Sequence, residues 1–475
     1  MKLIDLATCA VVAAAVSWGQ TPPTARQIAR RLTANDLKAD VSFLASDALE
    51  GRGTPSKGLD IAAEYIAAEF RRAGLEPAGD DGYFQTAAFS FIKPDTKGPE
   101  LTFDIGGKAF TVDRSAIRVF RLGAVDVTNA PVLRAAGTSG DQSGDAARGM
   151  VVLTDMSARL LLVPGAALIV RVSTADLGMG SSDPFLQDAS QPVGWIPEVA
   201  VWDPAVREAL TSAKDAAIQV TAHIPAPIVE PVKLRNVVGV LRGSDPTLKD
   251  TCLVLSAHYD HLGMRADGAD RIYNGADDDA SGVATVIETA AALAALPVRP
   301  KRSIVFVALF GEEVGEIGSR YYVQHPVFPA PKTIADVNLE QLGRTDDSEG
   351  PRVGQFNLTG FDFTTMAPVF RQAADDAGVH AVKDEKNSDP YFLRSDNAAF
   401  AEAGIPSTTI SVAYEFPDYH GVGDEWPKLD YGNMAKVDDA IALAAFRLAD
   451  SAEAPRWNPD NPGTARYLQV RPAAK

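Results

Sequence analysis

The chain is poor in several features that would have placed it elsewhere. Its 475 residues include only two cysteines, Cys9 and Cys252. A small fold stapled by several disulfides is therefore excluded, and removal of an N-terminal leader would leave Cys252 alone. Basic residues are outnumbered, 45 Lys and Arg against 62 Asp and Glu, for a formal net charge of -17. That balance argues against a nucleic-acid partner, whose phosphates would be repelled, and disfavours an anionic membrane surface. Beyond the N-terminus there is no apolar run long enough to span a bilayer, hence no transmembrane helix in the mature chain. Internal repeats and low-complexity tracts are absent too. What remains, 46% hydrophobic and 23% charged residues, is ordinary for a globular protein too long for one core.

The first twenty residues stand apart. Lys2 precedes an apolar stretch from Leu6 to Val16, and Ser17 and Gly19 flank a candidate cleavage point before Gln20. This predicts a signal peptide over 1–20 and an exported, periplasmic or secreted protein, the alternative being a frayed N-terminal helix. Residues 24–92 read as helical: Ile61, Tyr65, Ala68 and Phe70 recur near helical spacing, and Gly74 suits a stop. The segment 24–95 is expected to pack on the main domain. From 96 to 232 short apolar runs such as Met150–Leu153 and Ala166–Val170 lie between turn signals, which predicts a small β-rich inserted domain. From 233 to 450 strand and helix patterns alternate. Val237–Leu241, Cys252–Ala257, Ser303–Phe310 and Pro406–Val412 read as strands; Ser281–Leu296, Thr364–Ala377 and Val437–Leu448 read as helices. That order predicts an α/β fold, a mixed open sheet with helices on both faces, and functional groups at the carboxyl ends of strands. The tail 451–475, rich in Pro and Ala, reads as loosely packed.

Four acidic and histidine-bearing clusters follow the strand-like segments. They are His258-Tyr259-Asp260; the glycine-flanked Asp277-Asp278-Asp279 loop; Gly311-Glu312-Glu313; and Asn338-Leu339-Glu340, followed much later by Asp418-Tyr419-His420. Carboxylates gathered at strand ends repel one another unless a cation neutralises them. Imidazole and carboxylate are the usual nitrogen and oxygen ligands of zinc, and two metals sharing one carboxylate need about this inventory.

The combined pattern AHYDHLG, GADDDASG, GEE…GS, NLE…LGR, SDN and DYH resembles the co-catalytic zinc aminopeptidases of peptidase family M28, bacterial exported members most closely. The family also includes glutamate carboxypeptidase and the transferrin-receptor ectodomain. The likeness runs from about residue 36 to 450, includes Leu44–Asp47 and Glu50-Gly51-Arg52, and implies that the insert is a protease-associated domain. It implies two zinc ions. His258 matches a ligand of one zinc, with Asp260 orienting its imidazole. Asp278 matches the carboxylate that bridges both, with a cis peptide just after it. Glu313 and His420 match ligands of the other zinc, and Glu340 stands where the family usually has Asp, completing the site with His258. Glu312 matches the general base, and Tyr419 a tyrosine that hydrogen-bonds the tetrahedral oxyanion.

Other residues keep plainer readings. Asp277 and Asp279 read as loop residues, and His261 as a loop residue or one behind the ligands. His223, His325 and His380 read as surface or domain-contact residues, Glu316 and Asp336 as solvated charges, and Cys252 as a small core residue. Ser395-Asp396 fits a family motif in which Asn397 replaces a common histidine. The activity implied is that of an exopeptidase acting on peptides with a free N-terminus, through a metal-activated water and the Glu312 base. A carboxypeptidase or dipeptidase remains open, since Arg344 and Arg394 could meet a substrate carboxylate. A glutaminyl cyclase and a transferrin-receptor-like binding ectodomain are further alternatives. Side-chain preference and oligomeric state are not legible.

Overall fold

The structure, a computed structural model, describes residues 23–470 except 96, 136–146, 157–162, 164, 177–183, 193–194 and 214–216. The expected signal peptide lies outside the described residues. The chain divides into two compact units, one running to Thr86 and resuming at Arg235, the other Ala87–Leu234. No helix among the described residues is long and apolar enough to cross a membrane.

The first unit is built on a mixed sheet. Its strands are β1 (Glu76–Pro77), β2 (Ile228–Leu241, from Arg235 onward in this unit), β3 (Cys252–His258), β4 (Ser303–Leu309), β5 (Thr333–Leu339), β6 (Gln355–Leu358), β7 (His380–Val382) and β8 (Ser407–Ser411). The spatial order is β7-β6-β8-β5-β3-β4-β2, with β1 also paired to β2. β3 runs parallel to β4 and β5, and β5 parallel to β8, whereas β2 and β6 run antiparallel to β4 and β8. Every residue of β3, β4 and β5 is buried. Such unbroken burial is what a parallel strand covered on both faces shows, and among the polar members of these strands Ser256 hydrogen-bonds Asp336 and Asn338.

Its helices include α1 (Ala34–Leu44), α2 (Lys57–Ala73), α3 (Gly282–Ala294), α4 (Ile317–Gln324), α5 (Ala367–Ala377), α6 (Asn397–Glu402) and α7 (Tyr431–Asp450). On one face Cys252, Val254, Val305 and Val307 pack with Tyr322 of α4 and Phe400 of α6. Cys252 is thus a core residue. Helices α3 and α7 pack against β3 as well, and the alternate residues of the strand supply that contact. Ser56 caps α2, its Oγ accepting from Leu59 N at 3.1 Å, and Gly74 ends it at φ 78°.

The second unit carries an eight-stranded sheet in the order Lys108–Thr111, Glu100–Ile105, Ile218–Ile224, Val125–Arg134, Val151–Asp155, Leu168–Val172, Glu198–Val201, Ile117–Arg121. Its own core includes Phe103, Val151, Val170, Val199, Val220 and, from the helix Pro204–Ser212, Val206 and Leu210. In Ile218–Ile224 burial alternates strictly, the signature of a half-covered sheet.

Two expectations are corrected. Residues 24–92 are not helical throughout: Phe84–Lys93 is a strand in which Gln85, Ala87 and Phe89 are buried at a period of two. The tail is not loose where it is described. Trp457 stacks on Tyr467 with ring centroids 4.7 Å apart, both pack with Phe363 and Phe392, and the Trp457 indole donates to Gly404 O at 3.1 Å. Large aromatics in a Pro- and Ala-rich stretch supply enough apolar surface to dock it. Trp457→Ala is expected to cost about 3 kcal/mol of stability, read as a lower urea midpoint; an unchanged midpoint would put the tail outside the cooperative core.

Candidate metal centre

Parallel strands bring their carboxyl ends to one edge. Register pairs His258 with Leu309 and Ser256 with Asn338, so His258, Gly311-Glu312-Glu313 and Glu340 leave β3, β4 and β5 side by side. β8 lies next to β5, pairing Leu339 with Ile410, and the chain beyond it returns with His420.

The aspartate loop is held by its backbone. Gly275 sits at φ 60°, and a Cβ there would lie 2.4 Å from Asp278 O and 2.6 Å from the His261 ring, so glycine is required. Asp277 Oδ1 accepts from Gly343 N at 2.6 Å and Arg344 N at 3.0 Å; Asp279 Oδ1 accepts from Gly282 N at 2.9 Å. Both side chains are thus engaged by backbone. Asp278 alone turns its carboxylate to the strand ends: Oδ1 is 3.2 Å from His258 Nε2 and Oδ2 3.2 Å from His420 Nε2. The Asp278–Asp279 peptide is cis.

Two donor groups meet at Asp278. One is His258, Asp278 and Glu340, with Glu340 Oε1 3.5 Å from His258 Nε2. The other is His261, Asp278 and Glu313, with Glu313 Oε1 2.7 Å from His261 Nδ1. His420 joins the second through Glu313 Oε2 at 3.4 Å. His258 Nε2, both ring nitrogens of His261 and Glu313 Oε1 are buried without a hydrogen-bond partner. Buried nitrogen and oxygen donors left free beside one shared carboxylate fit a pair of divalent cations.

The electrostatics agree. Burial lifts Glu313 to about 8 and Glu312 well above the carboxylate range. Burial would raise Asp278 as well, but the His258 and His420 imidazoles facing its two oxygens hold it far below. Burial would lower His258, yet Asp260, Asp278 and Glu340 raise it well above an ordinary imidazole. In this acid nest the protons stand where cationic charge is wanted, and metal binding displaces them.

Asp260 is fully buried behind His258. The His258 Nδ1 lies 3.1 Å from Asp260 O and 3.7 Å from its carboxylate. That carboxylate accepts from Glu312 N at 3.1 Å and Thr54 Oγ1 at 3.0 Å. Glu312 thus has a backbone anchor, while its side chain lines a cavity together with Glu313, Glu340, Tyr419 and His420. Tyr419 stacks on the His420 ring, centroids 4.1 Å apart.

Residues 236–445 match the family described as Peptidase family M28. This segment of the chain belongs to peptidase family M28. Over 240 residues, 46% of this chain, it is 31% identical to the leupeptin-inactivating enzyme 1 of Streptomyces exfoliatus, covering 50% of that protein. Over 218 residues, 44% of this chain, it is 37% identical to a probable zinc metalloprotease of Pyricularia oryzae, covering 40% of it. The chain spans about half the length of the curated relatives it matches. An aminopeptidase from Aneurinibacillus sp. strain AM-1 has the same fold, with a TM-score of 0.54 at 20% identity over 95% of this chain and 98% of that one.

Three residues outside the sequence-derived set matter here. His261 lies in the second donor group, three residues from His258 in a tight loop that sequence spacing could not orient. Asp424, fully buried, accepts from Asp277 N at 3.0 Å and Asp278 N at 3.1 Å; only its closeness to His420 hinted at it. Arg52, wholly buried, donates to the carbonyls of Leu44, Tyr259, Asn274 and Gly275. The reading of Asp336 and Glu316 as solvated is corrected: Asp336 is buried and accepts from Ser256 Oγ at 2.8 Å, and Glu316 is half-buried and paired with Arg320. A central parallel strand leaves Asp336 no route to water.

Arg52→Ala strips four buried carbonyls of their donor and is expected to cost about 3 kcal/mol or more, measured by chemical denaturation; a shift below about 0.5 kcal/mol would reject the anchoring role. Zinc titration near pH 7 is expected to release protons, because burial keeps one on Glu313 up to about 8. Potentiometric titration without proton release would contradict the displacement.

Proposed function

We propose that the chain is an exported, zinc-dependent aminopeptidase that hydrolyses the N-terminal bond of peptides. The observation that carries this reading is one carboxylate, Asp278, shared by two donor groups, with a fourth carboxylate, Glu312, beside them in the same cavity and in neither group. His258, Asp278 and Glu340 would hold one zinc; Asp278, Glu313 and His420, with His261 against them, would hold the second. Glu340 supplies an oxygen ligand as Asp would, one methylene further from its strand. When bound, zinc supplies Lewis acidity, polarising a carbonyl and making water more acidic.

The chain's own groups do the rest. Glu312 takes a proton from the attacking water on its carboxylate and passes it to the leaving amine. Its burial, which opposes ionisation, brings its basicity toward that task. Asp260 fixes the neighbourhood of both: its main-chain oxygen faces the His258 imidazole and its carboxylate holds the Glu312 backbone. The Tyr419 hydroxyl donates to the developing oxyanion. The acidic wall of the cavity receives the free α-amine. The β-rich unit is, on this reading, a protease-associated domain, and residues 1–20 a signal peptide.

Glu312→Gln is expected to lower kcat at least a hundredfold on a short peptide with a free N-terminus, with zinc content unchanged by elemental analysis. Full activity in that variant would remove Glu312 from the base role. Chelation is expected to abolish release of the N-terminal residue, and acetylation of the peptide N-terminus to prevent it; cleavage of the acetylated peptide at the same rate would refute the aminopeptidase reading.

A further inference from the structure

We propose that Arg394 binds a carboxylate carried by the substrate, so that the site favours peptides with an anionic group close to the cleaved bond. The proposal rests on the peptidase reading of the cavity and deepens it. Among the described residues lining that cavity, Arg394 is the one with a permanent positive charge; four others, Asp278, Glu312, Glu313 and Glu340, are carboxylates. With two divalent cations in place those four carboxylates are balanced, and Arg394 is left as uncompensated positive charge facing the substrate.

Arg394 forms no ion pair among the described residues; its guanidinium lies 4.3 Å from the centroid of the Tyr391 ring and interacts with the Tyr391 hydroxyl. The Tyr391 hydroxyl in turn hydrogen-bonds Glu415, which holds the ring that carries the guanidinium. The backbone is tied on both sides. Arg394 N donates to Tyr391 O at 3.1 Å, and the next residue, buried Ser395, accepts from Asn338 Nδ2 at 2.7 Å. Asn338 stands two residues before Glu340 on β5, so the arginine and the zinc-binding edge share one rigid support. A stacked guanidinium keeps its planar fork of donors for a carboxylate.

Arg344, the other arginine that could have met a substrate carboxylate, cannot. Its guanidinium pairs with Asp346 Oδ2 at 2.7 Å and Asp418 Oδ2 at 2.9 Å, and its side chain is nearly buried. The carboxylate at Arg394 has two chemical sources, the C-terminus of a dipeptide or an acidic side chain next to the cleaved bond.

The test compares kcat/KM of the zinc-loaded full chain and of Arg394→Gln and Arg394→Lys on two substrate pairs. One pair is Leu-Leu and its C-terminal amide; the other is Leu-Glu amide and Leu-Gln amide. In the parent chain the charged member of one pair is expected to lead its neutral partner by about tenfold or more. That ratio should collapse in Arg394→Gln and survive in part in Arg394→Lys, with zinc content and melting temperature shared by all three. A collapse in the first pair identifies the terminal carboxylate, and in the second the side chain. Equal ratios in the parent and Arg394→Gln overturn the proposal. Should none of these substrates be cleaved, the peptidase reading fails by itself, and calorimetric binding of glutarate still tests Arg394. Binding about tenfold weaker in Arg394→Gln supports the proposal, and equal affinity overturns it.

Discussion

Keeping Asp278 ionised inside the protein is the constraint on which the functional edge depends. A carboxylate so nearly buried is costly, and it persists here because His258 and His420 each approach one of its oxygens to 3.2 Å. The loop that carries it is fastened from outside. Asp424 accepts from two successive backbone amides, and Arg52 gathers the carbonyls of Asn274 and Gly275 at the loop entrance. Arg52 is itself a buried charge, and burial lowers its pKa while Asp260 and Asp424 work to restore it. The shell is a mutual arrangement in which buried charges of both signs pay for one another.

That arrangement explains how neighbours in sequence take different work. In the Asp277-Asp278-Asp279 run, two carboxylates cap backbone amides and only the middle one reaches the histidines. In Glu312-Glu313 one side chain joins a donor group while the other lines the same cavity unattached. The left-handed Gly311, at φ 69°, turns the chain sharply off β4 just before the pair. Backbone direction, set within one or two residues, separates ligand from base.

The β-rich unit stands on its own core, and the family match begins after it, at residue 236. Its strand Ile218–Ile224 alternates buried and exposed residues, whereas the central strands of the other unit are buried throughout. Those two burial patterns reflect two environments: a sheet half open to solvent, and a sheet packed between helices. They also account for the legibility of the chain. The long apolar runs of β3 and β4 and the amphipathic α2 could be read directly, because their periodicity comes from local geometry. Phe84–Lys93 was harder, because its mixed residues at the end of a helical stretch carry a weak period-two signal.

The sequence by itself determined the chemistry available: which histidines and carboxylates stand at the ends of strand-like runs, in what order, and the family to which residues 236–445 belong. Asp278 could be singled out from its neighbours there only through resemblance, since three adjacent aspartates are chemically alike. The tertiary structure decided what each group faces. It brought His261 against Glu313, buried Asp336, Asp424 and Arg52, docked Trp457, engaged Arg344 and left Arg394 open to the cavity. Such facts depend on contacts between residues distant in sequence, such as Arg52 with Gly275 and Asp278 with His420. Local patterning fixes the direction of a strand or helix, but only the packed chain fixes which charges share a dielectric and which keep water.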